Sequence, residues 1–133
     1  MIEFHLEKRT GVAPYMQLVQ QVKQALRLGL LKPGDQLPTV REVVSKIAIN
    51  PNTVFKAYRE LEHEGLVESR PGIGTFVQKS LASSSPDLRQ ELRDDLLRWL
   101  YKASEADLDS ESIAALFADT LRQFQKEKET VTD

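Results

Sequence analysis

Apolar positions in this chain recur at helical spacing in five stretches and alternate with polar ones in three. Ile2, Phe4 and Leu6 alternate, which predicts a short strand ahead of the Thr10-Gly11 turn. From Pro14, a residue tolerated at the first helical position, Tyr15, Leu18, Val19, Val22, Ala25 and Leu26 form one apolar stripe. Gly29 is placed to end that helix, and Lys32-Pro33-Gly34-Asp35 forces a turn. Thr39-Val40-Arg41-Glu42 has the form of a capping box, with Val40, Val43, Val44 and Ile47 as the buried face of a short second helix. Asn50 can cap a third helix that takes Pro51 in its first turn, with Val54, Ala57, Tyr58 and Leu61 inward and Gly65 at its end. Leu66–Arg70 and Gly74–Gln78 are β-prone runs joined by Pro71-Gly72-Ile73, so a hairpin follows.

A Ser-rich run, Ser80 to Pro86, then separates these elements from two further amphipathic helices. Leu88, Leu92, Leu96, Trp99, Leu100 and Ala103 mark one; Ile113, Leu116, Phe117, Leu121 and Phe124 mark the other, starting near Asp109. Residues 127–133 read as a frayed end. Two short helices joined by a few residues and followed by a hairpin are the layout of a winged helix-turn-helix. The expected fold class is therefore α+β, mainly α. It places a winged helix-turn-helix at residues 1–79, a linker at 80–86 and a small two-helix dimerisation unit at 87–133.

Charge sharpens the division. The 133 residues carry a net charge of −2, but residues 1–80 hold 11 Lys/Arg against 8 Asp/Glu, whereas residues 81–133 hold 7 against 12. A mildly basic module followed by an acidic one suits a polyanion binder with a separate interaction element. There is no cysteine, hence no disulfide, thiol nucleophile or cysteine-based zinc site. The longest apolar run, Ile113 to Ala118, is far short of a membrane span, and the N-terminus lacks the basic and apolar regions of a secretory signal. A cytoplasmic location is expected.

The chain resembles the GntR family of bacterial transcriptional regulators. The resemblance is carried by Pro14-Tyr15-Met16-Gln17, by Gly29-Leu30-Leu31-Lys32-Pro33-Gly34-Asp35-Gln36-Leu37-Pro38-Thr39-Val40-Arg41 and by Asn52-Thr53-Val54. Leu61-Glu62-His63-Glu64-Gly65-Leu66-Val67 and Gly72-Ile73-Gly74-Thr75-Phe76-Val77 complete it, in the family's order and spacing. The short helical remainder resembles the YtrA-like branch, which implies a homodimeric repressor, often of an ABC-transporter operon. Two departures stand out. Pro51 occupies the place where many relatives have an arginine, so the guanine contact of that arginine does not transfer. Val43-Val44 stands where Leu-Ala is usual.

The DNA-binding candidates are Thr39, Arg41, Asn50, Asn52, Thr53, Lys56, Arg70, Gly72, Gly74 and Thr75. Arg41 sits in the first turn of a helix, an unfavourable place for a cation, and either meets DNA or pairs with Glu42 or Asp35. Asn50 serves first as a cap; Asn52 and Thr53 carry groups suited to phosphate or adenine. Lys56 is a phosphate contact or a surface lysine. Phe55 lies off the inner stripe and either touches a thymine methyl or is buried against the N-terminal segment. Gly72 and Gly74 mark a wing tip rather than a phosphate loop, with Arg70 beside it as a minor-groove or backbone contact, or a plain edge-strand cation. Glu60, Glu62 and Glu64 read as a solvated acidic flank.

Leu92, Leu96, Trp99, Leu100, Phe117, Leu121 and Phe124 are the dimerisation candidates, since two short helices cannot bury such wide stripes on each other alone. The expected partners are double-stranded operator DNA, read as an inverted repeat, and a second copy of the chain. No membrane, metal or cofactor is implied, His5 and His63 have no ligand spacing, and there is no room for a dedicated metabolite-binding domain. No catalytic constellation emerges, so an enzyme is not expected. The rival reading is a winged-helix adaptor that binds protein through its helical tail and has no DNA role.

Overall fold

The computed structural model describes residues 2–8 and 10–132. The chain divides into two units, Met1–Ser84 and Ser85–Asp133.

In the first unit, helix α1 spans Pro14–Arg27, α2 Val40–Ile47 and α3 Pro51–His63. Strands β1 (Val67–Arg70) and β2 (Gly74–Val77) follow. Each helix ends as its sequence dictates. Gly29, at φ +72°, donates its N–H to the Leu26 carbonyl, and Leu30 donates to Ala25, which satisfies the last carbonyls of α1. Gly65, at φ +76°, closes α3 the same way, donating to Glu62 while Leu66 donates to Leu61. Three residues join α2 to α3. Ala48 takes the left-handed conformation at φ 48° and ψ 50°, which turns Ile49 inward.

The core sits where the inner faces of the three helices meet the hairpin. Leu18, Val22, Leu26, Leu37, Val54 and Leu61 are fully buried there, with Leu66, Val67 and Val77 sealing the sheet side. Each such side chain contributes about 1.5–3 kcal/mol of transfer free energy.

β1 and β2 pair antiparallel, with Ser69 opposite Thr75 and Arg70 opposite Gly74. The segment after the Lys32–Asp35 turn adds a third, strand-like edge. Gly34 N–H bonds the Val77 carbonyl (2.9 Å), Val77 N–H bonds Asp35 (2.8 Å) and Leu37 N–H bonds Thr75 (2.8 Å). The hairpin is thereby anchored to the residues that lead into α2.

The expected strand at Ile2, Phe4 and Leu6 does not form. Phe4 is buried and its two neighbours pack on the core, so the alternation is real, but the backbone pairs with side chains instead of a strand. Gln21 exchanges two hydrogen bonds with the backbone of His5 (3.1 and 2.7 Å), and Gln17 exchanges two with Glu7 (2.9 Å each). Two glutamines one helical turn apart thus stand in for a ladder. Gln17 also donates to the Val12 carbonyl at 2.9 Å, which explains why it is the buried polar residue of α1.

In the second unit, α4 spans Pro86–Glu105 and α5 Ser110–Thr132. Ser85 caps α4 by accepting the Leu88 N–H (3.2 Å), and Pro86 is its first helical residue. Asp109 accepts the Ser112 N–H (2.8 Å) at the start of α5. Hydrogen bonding from the Ser112 side chain first, and from its N–H second, holds the Asp109 carboxyl below its ordinary range. The expected fraying from Glu127 is overturned: helix continues to Thr132, with Gln123 bonded to Glu127 and the Thr130 hydroxyl to the carbonyls of Lys126 and Glu127. Asp133 lies outside the described residues. Trp99 and Phe117 meet edge to face at 6.2 Å. Among the described residues of this unit only Ala103 is buried, and Leu92, Leu96, Leu121 and Phe124 are open to solvent. No described helix is long and apolar enough to cross a membrane.

Candidate nucleic-acid interface

The N-terminus of α2 is fixed from two directions. Locally, Glu42 N–H donates to the Thr39 hydroxyl (3.1 Å) and Thr39 N–H donates to the Glu42 carboxylate (3.4 Å), a complete capping box. At longer range, the buried Tyr58 hydroxyl of α3 donates to the Pro38 carbonyl at 2.6 Å. Burial first, and the nearby Glu42 charge second, push that phenol well above its ordinary range, so it remains a donor at all physiological pH. Tyr58 therefore ties the start of α2 to the middle of α3.

On this fixed corner Arg41 is exposed and makes no ion pair among the described residues. The pairing alternative does not occur: Glu42 is committed to Thr39, and Asp35 accepts the Lys32 N–H (2.8 Å). A cation in the first turn of a helix, unpaired because the adjacent Glu42 is bonded to Thr39, is in an electrostatically unfavourable place in the free protein. A polyanion would relieve that cost.

α3 presents a second set of groups. Asn50 accepts the Asn52 N–H at 2.8 Å and so acts as the cap. Asn52 is exposed and Thr53 half-buried, and neither side chain has a hydrogen-bond partner among the described residues. The Lys56 ammonium lies 4.0 Å from the Tyr15 ring centre, which holds it against α1 as a cation–π pair.

Between α3 and the hairpin runs a cleft of about 320 Å³. It brings together the sequence candidates Thr39, Arg70, Gly72, Gly74 and Thr75, whereas Arg41, Asn50, Asn52, Thr53 and Lys56 lie outside its lining. Arg70 stacks on Phe76 at 4.6 Å and lies 3.5 Å from Glu68, which aligns it along the wing. Gly74 sits at φ +148°, a backbone strained for other residues, and a Cβ there would fall 2.4 Å from the Gln36 amide nitrogen, so that side chain would have to move. Gly72, at φ +76°, faces open space.

The cleft is also lined by Phe55, read from the sequence as either a thymine-methyl contact or a buried ring, and by Arg59, to which the sequence reading gave no role. The burial alternative for Phe55 is overturned, since it stands 51% exposed. Arg59 is exposed and unpaired among the described residues; its spacing of four from Phe55 was the available signal. The acidic flank is also more than solvated charge. Glu62 accepts the Ser69 N–H (2.8 Å), pinning β1 to α3, and Glu64 pairs with Lys23 (2.7 Å). Among the described residues no cluster of His, Asp and Glu could hold a metal.

An anchored corner, an exposed helix start and a glycine-tipped wing make up a winged helix-turn-helix, and residues 14–77 match the family described as "Bacterial regulatory proteins, gntR family". The HTH-type transcriptional repressor YtrA of Bacillus subtilis (strain 168) is 34% identical over 119 residues, 86% of this chain and 92% of that protein. The chain belongs to the GntR family. Two solved structures are similar along most of it. A transcriptional antiterminator from Listeria monocytogenes EGD-e shares 30% identity at a TM-score of 0.55, covering 90% of each chain. YtrA from Sulfolobus acidocaldarius, a GntR-family transcription factor, shares 31% at 0.52, covering 73% of this chain and 96% of that one. As a GntR protein the chain is a DNA-binding transcriptional regulator and not an enzyme.

Proposed function

We propose that this chain is a cytoplasmic homodimeric repressor that binds an inverted-repeat operator, in the manner that its likeness to the repressor YtrA suggests, and that it governs a transporter operon. The observation that carries the reading is Arg41, an exposed cation without an ion pair among the described residues, at a helix start fixed by the capping box and by Tyr58. α3 enters the major groove, where Asn52 and Thr53 meet base edges, Arg41 meets a guanine or a phosphate, and Lys56 meets a phosphate. Thr39 and Asn50 hold the two helix starts, whose free N–H groups face the phosphates. The wing, with Arg70, Gly72, Gly74 and Thr75, follows the minor groove.

Dimerisation is supported by the second unit. Leu96, Trp99, Leu116, Phe117, Leu121 and Phe124 line an open trough of about 600 Å³ in which Thr120 is the single polar residue. Leu92 and Leu100 extend this apolar character along α4. A second copy of two helices of 20 and 23 residues matches it in length and chemistry and completes a four-helix arrangement about a two-fold axis. The polar α3 start and the wing, two surfaces that a protein adaptor would not need together, disfavour the adaptor reading.

The test is a pair of variants measured against a preferred and a scrambled duplex. Arg41→Ala and Thr53→Ala are each expected to cost about 1–3 kcal/mol on the preferred duplex, with a smaller loss on the scrambled one. Equal losses on both duplexes would reduce these residues to unspecific contacts. No effect on either would remove them from the interface.

A further inference from the structure

Packing does not account for Phe55. Its neighbours Val54, Ala57, Tyr58 and Leu61 are buried, yet this ring stands 51% exposed on α3. Asn52 lies three residues before it and Arg59 four residues after, so the three side chains share one face of the helix. The Asn52 amide and the Arg59 guanidinium both lack partners among the described residues. Phe55 and Arg59 line the cleft with Thr39 and Val40 of the α2 start and Gly72, Gly74 and Thr75 of the wing. An apolar ring thus sits between an amide and a guanidinium, on the face that the proposed function directs at the major groove.

The floor of that groove carries hydrogen-bonding atoms and a single kind of apolar group, the 5-methyl of a pyrimidine. Amides suit adenine, guanidinium suits guanine, and an aromatic ring suits the methyl. We infer that Phe55 is a specificity-determining residue that packs on a pyrimidine 5-methyl group, fixing the operator base between those faced by Asn52 and Arg59. The inference rests on the reading of α3 as the major-groove helix. Thymine and 5-methylcytosine both present this group, and the experiment tests each in turn.

The full-length protein first selects duplexes from a random synthetic pool. Each thymine of the selected site is then replaced singly by deoxyuridine, which lacks only the methyl. Burial of one methyl corresponds to about a fourfold change in Kd, so one position per half-site is expected to lose about fourfold on this replacement. At that same position a 5-methylcytosine·guanine pair is expected to bind about fourfold better than its unmethylated counterpart. Phe55→Ala removes both differences and leaves the deoxyuridine responses elsewhere unchanged. Phe55→Gln serves as a second soluble variant and gives the same loss. A wild-type protein indifferent to every thymine methyl overturns the inference, as does a Phe55→Ala protein that keeps the wild-type pattern. Failure of the wild-type protein to select any duplex overturns the DNA reading beneath it, and is distinguished by the absence of a selected site.

Discussion

Replacing Gln17 by methionine keeps the volume and the stem of the side chain but removes every polar contact that it makes. Gln17 holds the N–H and carbonyl of Glu7 and the carbonyl of Val12, each at 2.9 Å. At about 1 kcal/mol net per bond the ceiling is about 3 kcal/mol, and rehydration of the exposed Glu7 backbone lowers the expectation to about 2 kcal/mol. Gln21→Met breaks two bonds to His5 at the surface, so its expected loss is nearer 1 kcal/mol. Urea unfolding at fixed protein concentration, followed by far-ultraviolet circular dichroism, measures both losses. The lone tryptophan, Trp99, lies in the second unit, so its fluorescence transition is an internal reference that Gln17→Met leaves in place. A loss under about 0.5 kcal/mol for Gln17→Met would refute the clamp, since three partly buried bonds cannot vanish at so small a cost. So would a Gln21→Met loss as large as that of Gln17→Met.

Ala48→Gly relieves a left-handed alanine and is expected to stabilise the first unit by about 0.5–1 kcal/mol, visible as a higher thermal midpoint. Gly74→Ala forces the Gln36 amide aside at a backbone φ of +148°; a destabilisation of about 1–2 kcal/mol and weaker DNA binding are expected in the same variant. Gly72→Ala meets no neighbour within 4 Å, so only the backbone term remains. For Asp109, whose folded pKa is depressed, the cap's contribution is complete above the ordinary aspartate range and is lost as pH falls through the folded value. The stability difference between the wild-type protein and Asp109→Asn should therefore shrink as the pH is lowered below about 4.

The helices were legible because their signals are local. Thr39 with Glu42, Asn50 with Pro51, and the glycines at positions 29 and 65 fix the ends, and residue spacing fixes the inner faces. What escaped the sequence is non-local pairing. Gly34, Asp35 and Leu37 join β2 through backbone groups alone, so nothing in their side chains announces a third strand. Ile2, Phe4 and Leu6 announced burial correctly, but alternation does not reveal that the partner is a pair of glutamines on α1. Glu62 looked like solvated charge because its acceptor role depends on where β1 arrives. The extension of α5 to Thr132 reflects hydrogen bonds of Gln123 and Thr130 within a polar stretch that has no apolar stripe.

At the interface, residue types and order were readable, and their surroundings were not. Arg41 had two carboxylates within reach in sequence, and only the fold shows both of them engaged elsewhere. Lys56 gave no hint of Tyr15, 41 positions earlier in the chain. Phe55 had two readings of equal weight, and its exposure on α3 removes the burial reading.

The central claim is that two copies of this chain grip one duplex by electrostatic and groove contacts. Fluorescence anisotropy of the full-length protein with DNA from immediately upstream of its own operon, over a series of salt concentrations, addresses it directly. The account predicts saturation at two chains per duplex, preference over a scrambled duplex, and affinity that falls steeply as salt rises. Absence of binding even at low salt would contradict it and bring the adaptor reading forward.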